Sequence, residues 1–208
     1  MTGPTVDFWQ QRFDEGVLPW DRGGPHPQLI RWLASGQLRA GQAVLVPGCG
    51  AGHEVVALAA AGLRVTALDY APGACALARQ AVAGAGLALD RATVIEADVR
   101  VWQPDAPLEA VYEQTCLCAL HPDHWRTYAD QLHRWLRPGG QLCGLFMQCR
   151  KEGAALGQIE GPPYHLDIHA VRALFPAERW AWPKPPYEAI LHPRPGAGSE
   201  LAVVLTRR

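Results

Sequence analysis

The sequence predicts an α/β fold in which a parallel sheet carries helices on both faces. Strand-like and helix-like patterns alternate from residue 43 onward, without internal repeats or low-complexity linkers. The apolar segment 43–47 stops in a glycine-rich turn, and a helical pattern begins at His53. A chain of 208 residues can bury one sizeable core. We therefore expect a single domain over 1–208.

The first half of the predicted core alternates three strands with two helices. Gly62 ends the first helix and Pro72 opens the second, because glycine is favoured just after a helix and proline in its first turn. In order, the elements are strand 43–47, helix 53–62, strand 64–69, helix 72–84 and strand 93–97.

The second half continues this alternation and ends differently. Its elements are strand 108–114, a short segment 116–120, a helix from about residue 122, strand 141–148, a helix near 167–174, and strands 178–182 and 200–206. Pro138-Gly139-Gly140 is interpreted as a tight turn before strand 141–148. The loop 183–199 is rich in proline and glycine and joins the last two strands, which predicts an antiparallel hairpin.

The glycine turn and the acid that follows it predict an adenosine-binding site. Gly48, Gly50 and Gly52 allow a sharp turn and let a ligand approach bare amides at a helix N-terminus. The next strand ends in Asp69, whose carboxylate can accept hydrogen bonds from both ribose hydroxyls. A dinucleotide dehydrogenase shares this pattern, so the pattern alone does not identify the cofactor.

Three further features favour S-adenosylmethionine over a nicotinamide cofactor. Residues 1–40 precede the first strand and could form a lid, whereas a nicotinamide-binding domain often starts close to that strand. Asp98 follows the third strand, where it could accept from the adenine amine. Residues 136–142 predict a helix end, a turn and a strand, as in seven-stranded S-adenosylmethionine-dependent methyltransferases.

The segment 1–40 contains aromatic residues that suit a cationic ligand. Trp9 and Phe13 share one face if the segment is helical, and Phe8 and Trp20 flank them. Aromatic faces attract a sulfonium cation and exclude water from it. Packing of these rings against the rest of the chain is the alternative explanation.

Composition excludes several other classes of function. Nineteen basic and twenty acidic residues give a net charge of -1, so we expect no nucleic-acid partner. The sequence has no signal peptide pattern and no apolar run of about 18 residues, which predicts a cytoplasmic protein without a membrane partner. Six cysteines without CxxC spacing predict buried, reduced thiols and no metal site. A monomer is the default expectation.

Several motifs in order resemble the thiopurine S-methyltransferase family in its wide sense, which includes plant-type halide and thiol methyltransferases. The likeness spans most of the chain. It rests on Trp9-(x)3-Phe13-(x)2-Gly16-(x)2-Pro19-Trp20-Asp21, on Val46-Pro47-Gly48-Cys49-Gly50, on Asp69, on the segment Cys116-Leu117-Cys118-Ala119-Leu120-His121-Pro122 and on Gly161-Pro162-Pro163-Tyr164.

The resemblance implies a class I methyltransferase domain. Its core, 41–208, would be a Rossmann-like seven-stranded sheet with an antiparallel C-terminal hairpin, under an aromatic lid formed by 1–40. The cofactor would be S-adenosyl-L-methionine and the partner a small-molecule substrate.

The resemblance also implies roles for individual residues. Cofactor contacts would come from Trp9, Phe13, Trp20, Gly48, Gly50, Asp69, Ala97, Asp98 and Gln114, and acceptor contacts from Trp9, Trp20, Gln114 and Tyr164. Phe13 stands where Trp is common in the family. Gln114 stands where the thiopurine branch tends to carry Arg and the plant branch Tyr, which leaves both thiopurine and halide specificity open.

Methyl transfer to a soft nucleophile requires positioning more than proton transfer, so no catalytic residue is assigned. Alignment of two bound reactants is worth up to roughly 7 to 11 kcal/mol. A thiol is the preferred acceptor. Gln114, His121 or Tyr164 could assist its ionisation, although a histidine before Pro122 is typically a capping residue. The alternatives are a halide or a small-molecule O- or N-methyltransferase, a nicotinamide oxidoreductase, and a non-enzymatic protein that sequesters its ligand.

Overall fold

A computed structural model describes residues 3–87, 91–192 and 198–208, which group into two compact units. The N-terminal unit is Thr5–Ala110. The C-terminal unit is Val111–Arg208 with Gly3 and Pro4. The strand Leu108–Gln114 contains the boundary between them.

The N-terminal unit contains three parallel strands in the order β3-β2-β1. Its elements are α1 (Val6–Asp14), α2 (Pro27–Ala34), β1 (Ala43–Pro47), α3 (His53–Ala60), β2 (Arg64–Asp69), α4 (Pro72–Gly84), β3 (Ala92–Glu96) and the start of β4 (Leu108–Gln114). Pro47 lies opposite Leu68, and Asp69 lies opposite Glu96. The carboxyl ends of β1, β2 and β3 therefore meet at one edge, which brings the residues after them together.

Burial explains why these segments fold as they do. Val44, Leu45 and Val46 are all buried, as expected for a parallel strand covered on both faces. Small residues dominate the buried face of α4, including Ala74 and Ala78. Such a face allows the close approach of a neighbouring backbone.

The C-terminal unit is built on antiparallel pairing. Its elements are the end of β4, α5 (Cys116–Ala119), α6 (Trp125–Trp135), β5 (Leu136–Gln148), α7 (Ile168–Leu174), β6 (Trp180–Ala181), β7 (Glu188–Leu191) and β8 (Ser199–Arg207), with short 3₁₀ helices at Pro122–His124 and Glu152–Leu156. β8 pairs antiparallel with β5, β6 and β7. Trp135, Trp180, Phe146 and Phe175 are fully buried in this unit.

Most predicted elements match the structure, and the main errors have physical reasons. The described residues contain eight strands and not the predicted seven. The additional strand, β7, lies inside the predicted loop 183–199 and pairs with β8, so the predicted antiparallel hairpin is confirmed. Prolines before this four-residue segment concealed it in the sequence.

Two further differences concern a turn and a helix. Pro138-Gly139-Gly140 lies within β5, which begins at Leu136, although Gly139 has the left-handed φ of 75° that a turn would use. The helix α2 was not predicted. It begins with Pro27 in its first turn and buries Leu29 and Trp32.

None of the helices within the described ranges is both long enough and apolar enough to span a membrane.

Candidate functional site

The glycine turn follows β1 at the carboxyl edge of the strands in the N-terminal unit. Gly48, Gly50 and Gly52 have φ values of 62°, 51° and 83°, in the left-handed region that favours glycine. The amide of Cys49 donates to the carbonyl of Leu68 at 3.1 Å, which ties the turn to β2. Gly48 is exposed, so its backbone is open to a ligand.

Two glycines of this turn have close neighbours. A Cβ on Gly52 would lie 2.8 Å from Cα of Ala78, so the absence of a side chain lets the start of α3 pack on α4. A Cβ on Gly50 would lie 4.0 Å from Nε1 of Trp20. The Trp20 indole therefore stands beside the turn.

Asp69 ends β2 and is held against the glycine turn. Its Oδ2 accepts from the amide of Gly50 at 3.1 Å, and its Oδ1 accepts from the amide of Ala71 at 3.0 Å. Burial raises the pKa of this carboxyl, while the hydrogen bonds from Ala71 and Gly50 oppose the shift. Each carboxylate oxygen has two lone pairs, so both oxygens retain acceptor capacity for a ligand hydroxyl.

The residues after β3 lie beside Asp69, and one of them has a strong partner. The amide of Ala97 donates to the carbonyl of Asp69 at 2.9 Å. The Asp98 carboxylate binds the Arg100 guanidinium. Nε of Arg100 lies 2.9 Å from both carboxylate oxygens, and Nη2 lies 2.5 Å from Oδ2. Sequence reasoning missed Arg100, although its position two residues after Asp98 is the available signal.

Three aromatic residues of the segment 1–40, Trp9, Phe13 and Trp20, form a cluster around Trp20. The Trp9 ring centroid lies 5.3 Å from that of Trp20, and Phe13 lies 5.9 Å from it, both in edge-on geometry. No residue of α1 is buried. The rings are thus partly exposed in the structure.

Contacts with α4 and α3 hold this aromatic cluster in place. Oε1 of Gln10 accepts from the amide of Gly73 at 2.7 Å. Nε2 of His53, the first residue of α3, lies 2.9 Å from Oδ1 of Asp21. Sequence reasoning missed the His53–Asp21 contact. Asp21 ends the motif that contains Trp20, and His53 follows the glycine turn. Their separation of 32 residues in the sequence gives no reason to expect a contact between them.

In the C-terminal unit, Gln114 ends β4 with a fixed side-chain orientation. Its Oε1 accepts from the Tyr112 hydroxyl at 2.6 Å, which leaves the amide nitrogen as the other polar end. Thr115 follows with a left-handed φ of 57°, uncommon for a residue with a side chain. This turn leads directly into α5.

The buried carboxyl of Glu113 holds the start of α5. Oε1 of Glu113 accepts from the amide of Leu117 at 2.8 Å. Glu113 is 0% exposed, and burial raises its pKa to about 8, with Glu200 contributing to the same direction. Sequence reasoning missed Glu113, because an acid inside an apolar strand carries no motif.

Tyr164 is attached to the segment after Gln114. Its amide donates to the carbonyl of Cys118 in α5 at 2.9 Å, and the residue is buried. Burial raises the pKa of its hydroxyl. The ring stands edge-on to His121 at a centroid distance of 5.4 Å.

The structure therefore assembles the predicted site residues in two groups. The N-terminal unit brings together the turn glycines, Asp69, Ala97 and the aromatic cluster. In the C-terminal unit, Gln114 ends β4 two residues before α5, and the amide of Tyr164 is bonded to Cys118 in α5. Over residues 3–87, 91–192 and 198–208, no group of three or more His, Cys, Asp or Glu residues could hold a metal ion.

Comparison with protein families and curated relatives gives consistent matches. The family model for thiopurine S-methyltransferase matches residues 4–205. Thiocyanate methyltransferase 1 of Arabidopsis thaliana is 29% identical over 160 residues, which cover 77% of this chain and 67% of that protein. Thiopurine S-methyltransferase of Legionella pneumophila (strain Paris) is 26% identical over 174 residues, covering 76% and 75%.

Solved structures share the fold over almost the whole chain. The N-methyltransferase NodS from Bradyrhizobium japonicum WM9, in complex with S-adenosylhomocysteine, has a TM-score of 0.75 at 19% identity and covers 98% of this chain and 99% of its own. A Burkholderia thailandensis N1-methyltransferase with bound S-adenosylhomocysteine has a TM-score of 0.72 at 18% identity, covering 97% and 86%. These likenesses confirm the predicted α/β fold class.

Proposed function

The chain belongs to the thiopurine S-methyltransferase family, and on that premise we propose that it methylates a small soft nucleophile, above all a thiol, with S-adenosylmethionine as methyl donor. The family match over residues 4–205 carries this proposal. The chain is accordingly an S-adenosylmethionine-dependent methyltransferase. The geometry of the glycine turn, Asp69 and the aromatic cluster supports the same activity.

The residues of the N-terminal unit fit S-adenosylmethionine. The exposed backbone at Gly48 suits the methionine end of the cofactor, since anionic groups bind bare amides at a helix N-terminus. Asp69 retains acceptor capacity for the ribose hydroxyls. Ala97, hydrogen-bonded to the backbone of Asp69, borders the place proposed for adenine, with Asp98 beside it.

We assign the residues 1–40 as a lid on a single methyltransferase domain. Trp9, Phe13 and Trp20 contact one another, and Trp20 stands beside Gly50. Partly exposed aromatic faces can cover a cation and exclude water, which strengthens electrostatic attraction at the site. The His53–Asp21 contact fixes the chain immediately after Trp20.

Positioning of the acceptor supplies most of the proposed catalysis. When bound, the cofactor provides a methyl group on a sulfonium, whose transfer to sulfur is an in-line displacement. Gln114, oriented by Tyr112, and Tyr164, attached to α5, are proposed to orient the acceptor. Alignment of two reactants is worth up to roughly 7 to 11 kcal/mol, so the proposal requires no dedicated base.

We further propose that the protein acts as a monomer in the cytoplasm and has no nucleic-acid partner. The near-neutral net charge of -1 supports the last point, because nucleic-acid binding depends on an excess of basic residues.

The decisive experiment is an acceptor screen. Purified protein is incubated with S-adenosylmethionine and with aliphatic thiols, aromatic thiols, thiocyanate, iodide, a phenol or an amine, and S-adenosylhomocysteine is measured. We expect turnover with at least one thiol. Turnover only with the phenol or amine would identify an O- or N-methyltransferase, and cofactor binding without any turnover would identify a sequestering protein; either result contradicts the proposed thiol activity.

A further inference from the structure

The carboxylate of Asp98 receives hydrogen bonds at both oxygens from one neighbour, Arg100. Oδ1 accepts from the backbone amide of Arg100 at 2.8 Å and from its Nε at 2.9 Å. Oδ2 accepts from the same Nε at 2.9 Å and from Nη2 at 2.5 Å. A carboxylate offers about four lone pairs, so these contacts occupy the acceptor sites that a ligand would need.

The turn after β3 holds this carboxylate in place independently of the guanidinium. The amides of Val101 and Trp102 both donate to the carbonyl of Asp98, at 3.1 and 3.0 Å. Within that turn, the amide of Arg100 donates to Oδ1. A change of the Arg100 side chain would therefore remove the guanidinium without releasing the carboxylate.

The ion pair is partly shielded from water. The side chains of Arg100 and Asp98 are 36% and 26% exposed. Bonding to Asp98 raises the pKa of the Arg100 guanidinium, because the charged form is the donor. Charge-assisted hydrogen bonds of this forked kind are roughly twice as strong as neutral ones. A neutral amino group is thus a weak competitor for the same oxygens.

Asp98 lies next to the residues proposed to hold the cofactor ribose. β2 and β3 are parallel neighbours, with Asp69 opposite Glu96. The amide of Ala97 donates to the carbonyl of Asp69 at 2.9 Å, and Asp98 is the following residue of the same unit. The base extends from the ribose, so the proposed site places adenine beside Asp98.

The two acids of the proposed site therefore differ in what they offer a ligand. Asp69 accepts backbone amides, which are neutral, and keeps acceptor capacity for hydroxyl groups. Asp98 is neutralised by a guanidinium that lies against both of its oxygens.

We propose that Arg100 withdraws Asp98 from recognition of the adenine 6-amino group, so that the protein binds its cofactor without selecting for that group. This inference rests on the proposed S-adenosylmethionine site and names Arg100 as the residue that sets its specificity for the base. A site built on an unpaired carboxylate rejects a base without the amine, because its acceptor is left without a partner. A carboxylate that is already paired imposes no such loss.

A comparison of two ligands measures this specificity directly. One is S-adenosylhomocysteine, and the other is its 6-deamino analogue, in which hydrogen replaces the amino group and the ring nitrogens are kept. Isothermal titration calorimetry with the full chain gives both dissociation constants. We expect the two values for the parent to agree within about threefold. A general loss of folding or positioning would change both constants together and leave their ratio unaltered.

Arg100→Met tests the role assigned to the guanidinium. Methionine keeps an unbranched stem but has no donor, while the backbone amide still orients the carboxylate. The released oxygens can then accept from the amino group. S-adenosylhomocysteine should consequently bind about 5- to 50-fold more tightly than the 6-deamino analogue, the effect of one hydrogen bond to a charged group.

Arg64→Met is the matched control, because it removes one positive charge from the start of β2. Nη2 of Arg64 lies 4.0 Å from Oε2 of Glu109, and its side chain is 57% exposed. Its ligand ratio should equal that of the parent. Arg100→Lys keeps the charge but loses the fork, so its ratio should lie between those of the parent and Arg100→Met. Thermal unfolding midpoints show whether each variant is folded, and Arg100→Lys decides if Arg100→Met is not.

Two results would overturn the inference alone. A parent ratio above about threefold in favour of S-adenosylhomocysteine would show that the amino group is recognised although Arg100 is present. Equal ratios in the parent and both Arg100 variants would show that Arg100 does not set the specificity. If the parent binds neither ligand, the proposed cofactor site itself fails, and the inference fails with it.

Discussion

Asp69 shows how one side chain serves both the fold and the proposed cofactor site. Its two oxygens accept amides from Gly50 and Ala71, which locks the glycine turn to the end of β2. Burial raises its pKa, because a desolvated environment disfavours the ionised form. The carboxyl group lies beside the exposed backbone of the glycine turn, where we propose that the cofactor binds.

The substitution Asp69→Asn should weaken S-adenosylhomocysteine binding about 10- to 100-fold, because charge-assisted hydrogen bonds to the ribose are lost. Asp98→Asn is the matched control and should weaken binding less than about tenfold, since Arg100 already engages the Asp98 carboxylate. Isothermal titration calorimetry measures both affinities. Equal losses in the two variants would contradict the separate role of Asp69.

At the scale of single residues, the sequence predicted positions better than orientations. Gly50 and Asp69 were predictable because strand ends in a parallel sheet share one edge. The orientation of the Gln114 side chain was not predictable, because it depends on the Tyr112 hydroxyl from the same strand. The sequence places Arg100 two residues after Asp98, but this spacing alone does not show that the guanidinium turns back onto the carboxylate.

Among the elements, the contact between α3 and α4 depends on glycine at position 52, because glycine has no side chain. Gly52 precedes α3 with φ 83°, and a Cβ there would meet Cα of Ala78 at 2.8 Å. The Cα of Ala78 is part of the backbone, so it cannot move aside for a Cβ as the end of a flexible side chain can. Helix packing therefore requires glycine at this position of the turn.

Gly52→Ala should lower the free energy of unfolding more than Gly41→Ala does. Gly41 has a φ of 84° and no atom within 4 Å of the Cβ that alanine would add, so it carries the backbone cost of about 1 to 2 kcal/mol alone. The contact with Ala78 should add about 1 to 3 kcal/mol at Gly52. Urea unfolding of the two variants gives the difference, and equal values would show that the helices separate without cost.

Element prediction succeeded where periodicity was strong and failed where pairing decided the outcome. β1, β2 and β4 match their predicted bounds because their apolar runs are bounded by turns. β7 forms a strand because it pairs with β8, and no local sequence pattern reveals this pairing. The helix α2 had readable signals, Pro27 and a periodic buried face, but it is only eight residues long and lies in the segment 1–40, for which the sequence predicts a lid.

At the scale of the whole molecule, Glu113 links stability to pH. Burial raises its pKa to about 8 from an ordinary value of 4.5, and the hydrogen bonds from Leu117 and Cys116 only partly oppose this. Between these pH values the folded protein holds a proton that the unfolded chain releases. The free energy of unfolding should therefore fall as pH rises from about 4.5 to about 8.

Glu113→Gln should remove this contribution, because a neutral amide can still accept from the Leu117 amide and does not titrate. The difference in unfolding free energy between parent and variant should shift by up to a few kcal/mol, in favour of the variant, between pH 5 and pH 8. Denaturant unfolding at several pH values measures it. Parallel pH curves for the two proteins would refute the assignment.

The six cysteines have a consequence for a protein that handles a methyl donor. All six are free and buried. Burial raises the pKa of Cys75 to about 11 and of Cys143 to about 12, and that of Cys118 well above its ordinary value. Only a thiolate attacks efficiently. Held as neutral thiols, Cys75, Cys118 and Cys143 should be poor nucleophiles toward a methyl donor and toward disulfides.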